Sequence, residues 1–233
     1  KKKDVAKEGF TPFLFISGVV AFLLISQPDM GTLGVILLTA FAVYFFAGAK
    51  PAHLLAVVLI GISALSVFVY FNEYAQNRVA VYLNPSEDAQ GAGYQVSRAQ
   101  NMIRSGGVFG IGYGTSQQKS TAFLPEPMGD SIFAVIAQEL GFIGVMSAVA
   151  LFLVLGWQGF GIARDSRTAF GRMLAGGITV WILAQAFINI GAISGMVPLT
   201  GIPLPFVSYG GTSLVVLLTA CGIVYSIQRQ TES

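Results

Sequence analysis

Six apolar runs constrain this chain more than any other feature. They are Phe10–Ser26, Met30–Ala49, Ala52–Phe71, Ser131–Trp157, Met173–Ile193 and Phe206–Ile227. A helix needs about 20 such residues to cross roughly 30 Å of hydrocarbon, and each run is near that length. Inside a bilayer every backbone N–H and C=O must find a partner within the segment or in a closed barrel. A barrel strand alternates apolar and polar residues, and these runs do not. They predict an all-α, polytopic transmembrane helix bundle with residues 1–233 as one transmembrane domain. The composition agrees: 54% of the 233 residues are hydrophobic and 10% are charged, against about 25% charged in a soluble domain. The same numbers exclude an intrinsically disordered chain.

Rare residues exclude further classes. The single cysteine, Cys221, stands in an apolar run, so no disulfide framework or thiolate cluster exists. The single histidine, His53, cannot build a His-rich metal site. A net charge of +2 gives no reason to expect nucleic acid as a partner.

Lys and Arg set the expected orientation, because cytoplasmic loops carry the excess of them. With the N-terminus inside, Lys1, Lys2, Lys3, Lys7, Lys50, Arg164, Arg167, Arg172 and Arg229 face the cytoplasm, and Arg78, Arg98, Arg104 and Lys119 face outward. Both termini of the chain are then cytoplasmic. The expected compartment is a membrane, crossed several times.

Between the third and fourth runs lies a long outer segment, Asn72–Gly129, ending against Asp130. Loops beyond about 15 residues usually carry function or structure of their own. Here Val96, Ala99, Met102 and Ile103 recur at helical spacing, and Gly106 follows as a stop. The pattern predicts a short amphipathic helix at the membrane surface, with Arg98 and Arg104 on or beside its polar side. The glycine-rich stretch Gly106–Gly114 has neither a preceding strand nor a Gly-Lys-Ser/Thr ending, so it is no nucleotide loop. Its glycines let the backbone turn tightly or approach a ligand closely.

Two carboxylates and a lysine, Glu126, Asp130 and Lys119, crowd the boundary before the fourth run. A carboxylate there is partly desolvated and becomes a better proton acceptor. The chemistry balances that reading against a plain N-cap role for Asp130. Glu139, inside the fourth run, is a functional candidate because intramembrane acids usually are. Asp29, in the turn Gln27–Thr32, stands where it would cap the second span. Gln185 and Asn189, at i,i+4 on the fifth run, read as polar glue between helices. The irregular Pro198–Gly211 entry to the sixth run, which contains Ser208, suits backbone that is buried or lines a cavity.

These pieces, in this order, resemble the SEDS family (shape, elongation, division and sporulation) of membrane glycosyltransferases. The matching stretches are Gln27–Thr32, Arg78–Pro85, Tyr94–Gly114, Leu124-Pro125-Glu126 through Gly141, and Pro203–Thr212. Ser116-Gln117-Gln118-Lys119 before Leu124-Pro125-Glu126 is more similar to the cell-division type, FtsW, than to the elongation type, RodA. The resemblance implies a ten-span fold of which this chain holds the last six, lacking about four N-terminal helices. It implies polymerisation of lipid II into glycan strands on the outer face of the membrane, with Asp130 as the catalytic base. Lys119, Arg98 and Arg104 would bind phosphates or orient substrate, Glu126 and Asp29 would assist, and Ser208 would contact substrate from the segment lining the lipid cavity. It further implies a possible divalent cation, Mg or Mn, as helper, no organic cofactor, a class B penicillin-binding transpeptidase as partner, and other septal proteins. The chain departs from the family where Gly129-Asp130-Ser131 replaces Thr-Asp-Phe and Gln138-Glu139 replaces Glu-Glu.

Two other activities compete. One is translocation of lipid II across the bilayer without chemistry. The other is ion-coupled transport, which usually shows inverted repeats and charges at mid-membrane. The charges here gather at the outer rim and no repeat is visible.

Overall fold

The computed structural model describes residues 9–27, 29–84, 91–115 and 129–232. Among them are eight helices: α1 (Phe10–Ser26), α2 (Met30–Phe46), α3 (Pro51–Phe71), α4 (Glu73–Leu83), α5 (Ala92–Gly106), α6 (Ile132–Asp165), α7 (Ala169–Ile193) and α8 (Gly211–Glu232). The architecture is all-α, as the apolar runs predict. Four helices, α3, α6, α7 and α8, are long and apolar enough to cross a membrane. α1 and α2 are equally apolar but have 17 residues each, about 25 Å at 1.5 Å per residue.

Several boundaries move for local reasons. The sixth apolar run begins at Phe206, but α8 starts only at Gly211. Prolines at 203 and 205 and a positive φ of 64° at Phe206 hold the chain in turns until Gly210. The long segment between the third and fourth apolar runs contains α4 as well as the expected short helix. Asn72, which ends α3, accepts the Ala75 N–H on its side-chain oxygen at 3.1 Å and so starts α4. Asp29 does the same for α2, accepting from the Thr32 N–H at 3.0 Å. Thr168 starts α7 through the Gly171 N–H at 2.9 Å.

The chain divides into two compact units, each drawing on separate stretches. The first comprises residues 1–75, 156–184 and 218–233. Small residues bring its helices close: Gly176 faces the Phe46 ring, Gly177 faces Val43 and Gly159 faces Thr179. Ala163, Ala175 and Ile227 form a buried core, with Ile162, Leu174 and Val224 packed against it. Tyr44 stacks on Phe13 with centroids 4.5 Å apart and bonds its hydroxyl to His53 Nδ1 at 3.2 Å. The only histidine is thus a packing and hydrogen-bonding residue.

The second unit comprises residues 76–155 and 185–217 and contains α5, the glycine-rich stretch, the first part of α6 and the irregular segment before α8. α6 breaks within it at Gly141, where φ is 65° and ψ −163°. The break removes the bonds that Phe142 and Ile143 would make to the carbonyls of Gln138 and Glu139. Residues 107–112 replace them on both sides. Ile111 and Gly112 donate to the Gln138 and Glu139 carbonyls at 3.0 and 3.1 Å. Phe142 and Ile143 donate to the Gly107 and Val108 carbonyls at 2.9 and 3.3 Å. All four groups freed by the break are satisfied, which apolar surroundings demand. The glycines permit the approach: a Cβ on Gly110 or Gly141 would overlap the facing backbone.

The break divides α6 by character. Phe142–Ala163 carries no charge and is long enough for a full crossing at about 1.5 Å per residue. Before the break, Phe133, Ala134, Val135, Ala137, Gln138 and Glu139 are buried within the protein. This buried half leads back to Asp130.

Candidate active site

Asp130 closes a turn just before α6 and is half-buried. Its backbone is held first. Asn189, on α7, donates from Nδ2 to the Asp130 carbonyl at 2.7 Å and to the Ile202 carbonyl at 2.6 Å. Ser208 donates to the Gly129 carbonyl at 2.6 Å and accepts from the Leu204 N–H at 2.7 Å. Gln185, one turn before Asn189, donates to the Pro203 carbonyl at 3.0 Å. Residues 129–130 and 202–204 are therefore tied to each other and to one face of α7. The pair read as interhelical glue does hold elements together, but its partners are loop carbonyls. Prolines at 203 and 205 explain why such bonds are needed, since the segment cannot use a helical ladder.

The carboxylate of Asp130 has its own contacts. Gln95 Nε2, from α5, lies 3.4 Å from each carboxylate oxygen. Ser131 Oγ donates to Oδ1 at 3.1 Å and accepts from Gln95 at 3.1 Å. Gly201, with φ 69°, lies beside the carboxylate, where a Cβ would stand 3.9 Å from Oδ2, in ordinary contact. α6 begins after Ser131, one residue beyond the expected start, and the Asp130 side chain is directed to Gln95 and Ser131. The arrangement is an acceptor carboxylate with its backbone held by Asn189 and hydrogen-bond donors from Gln95 and Ser131 at its oxygens.

The other residues singled out in the sequence are distributed as follows. Arg98 lies one turn beyond Gln95 on α5, its guanidinium 5.0 Å from the Tyr94 ring centroid. Arg104 is exposed in the last turn of the same helix. Glu139 is 5% exposed and accepts the Gly114 N–H at 3.0 Å, linking it to the glycine-rich stretch. Asp29 belongs to the other unit and caps α2. Lys119 and Glu126 lie outside the described residues. Gln95, a neutral amide, carries no charge that would mark it in the sequence. Its spacing to Ala99, Met102 and Gly106 was the available clue.

Among the described residues no three His, Cys, Asp or Glu side chains converge to hold a metal ion. Asp130 is the carboxylate at the centre of the site, and Mg²⁺ commonly binds through one or two carboxylates, waters and substrate phosphates.

The whole chain, residues 1–233, matches the protein-family model FTSW_RODA_SPOVE, described as "Cell cycle protein". It is 41% identical over 234 residues to stage V sporulation protein E of Bacillus subtilis. Identity is 39% over 213 residues to peptidoglycan glycosyltransferase MrdB of Escherichia coli. It is 36% over 235 residues to the probable peptidoglycan glycosyltransferase FtsW of Geobacter metallireducens. These alignments cover 100%, 90% and 100% of this chain but 64%, 57% and 62% of those proteins. The chain thus spans under two thirds of their length. Among solved structures, one chain of a peptidoglycan synthase complex that coordinates polymerization and crosslinking is similar with a TM-score of 0.76 and 27% identity, covering 98% of this chain and 64% of that one. Thermus thermophilus rod-shape-determining protein RodA is similar with a TM-score of 0.64 and 26% identity, covering 98% and 59%.

Proposed function

Because the chain belongs to the FtsW/RodA/SpoVE family of multi-pass membrane proteins, we propose that the protein containing it is a peptidoglycan glycosyltransferase. It polymerises lipid II on the outer face of the bacterial cytoplasmic membrane, with both ends of this chain cytoplasmic. The acceptor's sugar hydroxyl attacks the anomeric carbon of the donor, undecaprenyl pyrophosphate leaves, and Asp130 takes the hydroxyl proton. The observation that carries this reading is the Asp130 site itself: a carboxylate whose backbone is clamped by Asn189 and whose oxygens face Gln95 and Ser131. A base held this way needs little reorganisation at the moment of reaction.

Supporting roles follow. Arg98, Arg104 and Lys119 supply positive charge for the pyrophosphate, Glu126 assists, and Ser208 acts on the site through the Gly129 and Leu204 backbone it joins, while Asp29 caps α2. Asp130 would be the residue to hold a divalent cation, Mg or Mn, which would supply positive charge to neutralise the phosphates. The partner is a class B penicillin-binding transpeptidase, in keeping with the similarity to a chain of a synthase complex. The run Ser116–Lys119 before Leu124-Pro125-Glu126 favours the cell-division role alongside other septal proteins. Depletion should then give filaments, and rounded cells would overturn that assignment in favour of elongation.

The decisive experiment is polymerisation of lipid II by the full-length protein with its transpeptidase, with and without EDTA. Asp130→Asn should abolish glycan strands while leaving the protein folded. Wild-type polymerisation by that variant would overturn the reading, and lipid II flipping without polymer would leave translocation in its place.

A further inference from the structure

We propose that Gln95 is the residue that orients the Asp130 carboxylate for proton transfer, an inference that rests on the glycosyltransferase reading above. Gln95, Ala99, Met102 and Gly106 recur at i, i+4, i+7 and i+11, forming one stripe of α5. Ala99 and Met102 are fully buried, and a Cβ on Gly106 would overlap the Ala137 carbonyl. This stripe packs α5 against the residues that follow Asp130. At its first position stands an amide, where the rest of the stripe is small or apolar.

All the hydrogen bonds of that amide go to one place. Nε2 lies 3.4 Å from both oxygens of Asp130 and 3.1 Å from Ser131 Oγ, and Ser131 Oγ reaches Oδ1 at 3.1 Å. Two other glutamines of the unit behave differently. Gln185 bonds a loop carbonyl and Gln138 bonds the Ser105 hydroxyl at 3.0 Å, each joining two segments. Gln95 spans the two oxygens of the base.

An aspartate carboxylate turns readily about its last torsion, which has broad, roughly twofold minima. A donor set between both oxygens, with a hydroxyl on one, resists that rotation. The backbone clamp from Asn189 places the residue, and Gln95 sets the plane of its carboxylate. Catalytic groups must be held within about 10–20° of the productive geometry. Bonds of 3.4 Å are long, as catalytic hydrogen bonds often are before substrate arrives.

The test uses the full-length protein with its transpeptidase partner and lipid II. Gln95→Met keeps the volume and removes the donor. It should lower kcat about tenfold or more, with KM within about threefold of wild type. The thermal midpoint should stay within a few degrees, because a single partly exposed hydrogen bond is worth only about 1 kcal/mol. Gln95→Glu keeps shape and polarity while setting a carboxylate against Asp130, and should lower kcat at least as far. If Gln95→Met does not fold, Gln95→Glu decides alone. A kcat within about threefold of wild type, or equal losses in kcat and thermal midpoint for both variants, would overturn the proposal. Asp130→Asn runs in parallel. If it retains wild-type polymerisation, the glycosyltransferase reading itself fails; if it is inactive while Gln95→Met is not, only the role of Gln95 fails.

Discussion

Asn189, 1% exposed on α7, donates from a single amide nitrogen to the Asp130 carbonyl at 2.7 Å and to the Ile202 carbonyl at 2.6 Å. One side chain thereby joins the turn that carries the candidate base to the proline-rich segment that faces it. Both carbonyls belong to residues outside regular structure, so no helical ladder would replace the lost donor.

Asn189→Leu should therefore be costly. It keeps a similar volume but leaves the buried Ile202 carbonyl and the half-buried Asp130 carbonyl without that donor, at up to about 1–3 kcal/mol each. The thermal midpoint in detergent should fall by roughly 4 °C or more, and polymerisation should fall with it. A midpoint unchanged within measurement error would show that the clamp carries no stability.

The break in α6 makes a second prediction. Gly141→Ala meets a positive φ that L residues rarely adopt and places a methyl group against the Gly110 amide and the Val108 carbonyl. The backbone strain alone costs about 1–3 kcal/mol. The variant should yield less monodisperse protein by fluorescence size exclusion, and its thermal midpoint should drop by about 5 °C or more. Gly161→Ala, on the same helix with open space around it, is the control and should behave as wild type. Equal behaviour of the two variants would refute the account of the break.

Two side chains of α4 bond the segment that follows α7. Arg78 donates to the Leu199 carbonyl at 2.5 Å and Tyr82 to the Met196 carbonyl at 2.9 Å, around an enclosed space of about 30 Å³. Arg78→Ala should speed amide hydrogen exchange across residues 76–83, because it removes a charge-assisted bond and opens the enclosed space. Tyr82→Phe loses one bond at an exposed position and should change exchange little. The reverse order of effects would contradict this picture.

Asp29 separates capping from chemistry. Asp29→Asn keeps an acceptor for the Thr32 N–H and should leave polymerisation unaltered. Asp29→Ala loses the cap, at about 1 kcal/mol, and should lower the thermal midpoint by roughly 2–4 °C. If Asp29→Asn alone abolished activity, the carboxylate would have a chemical role beyond the cap.

The sequence reached far where physics is local. The start of α2 at Asp29, the end of α5 near Gly106 and the ends of α3 and α7 follow from capping, glycine and apolar length. It missed α4, whose apolar content is too low for a span, although Asn72 marks its start. It read the glycines of residues 106–114 as a means of close approach. What they approach is backbone, the opened rungs of α6.

By itself, then, the sequence determined that this chain is a bundle of membrane helices and that Asp130 stands at the entrance to one of them. Hydrophobic length and helix capping act over neighbouring residues, so one dimension suffices to read them. Only the tertiary structure decided what surrounds that carboxylate. Gln95 and Asn189 are 35 and 59 positions from Asp130, and two neutral amides that far away give no periodic or charge pattern pointing to it. They meet because a broken helix, a packed stripe and an irregular proline segment bring their polar groups to positions where buried donors and acceptors must pair.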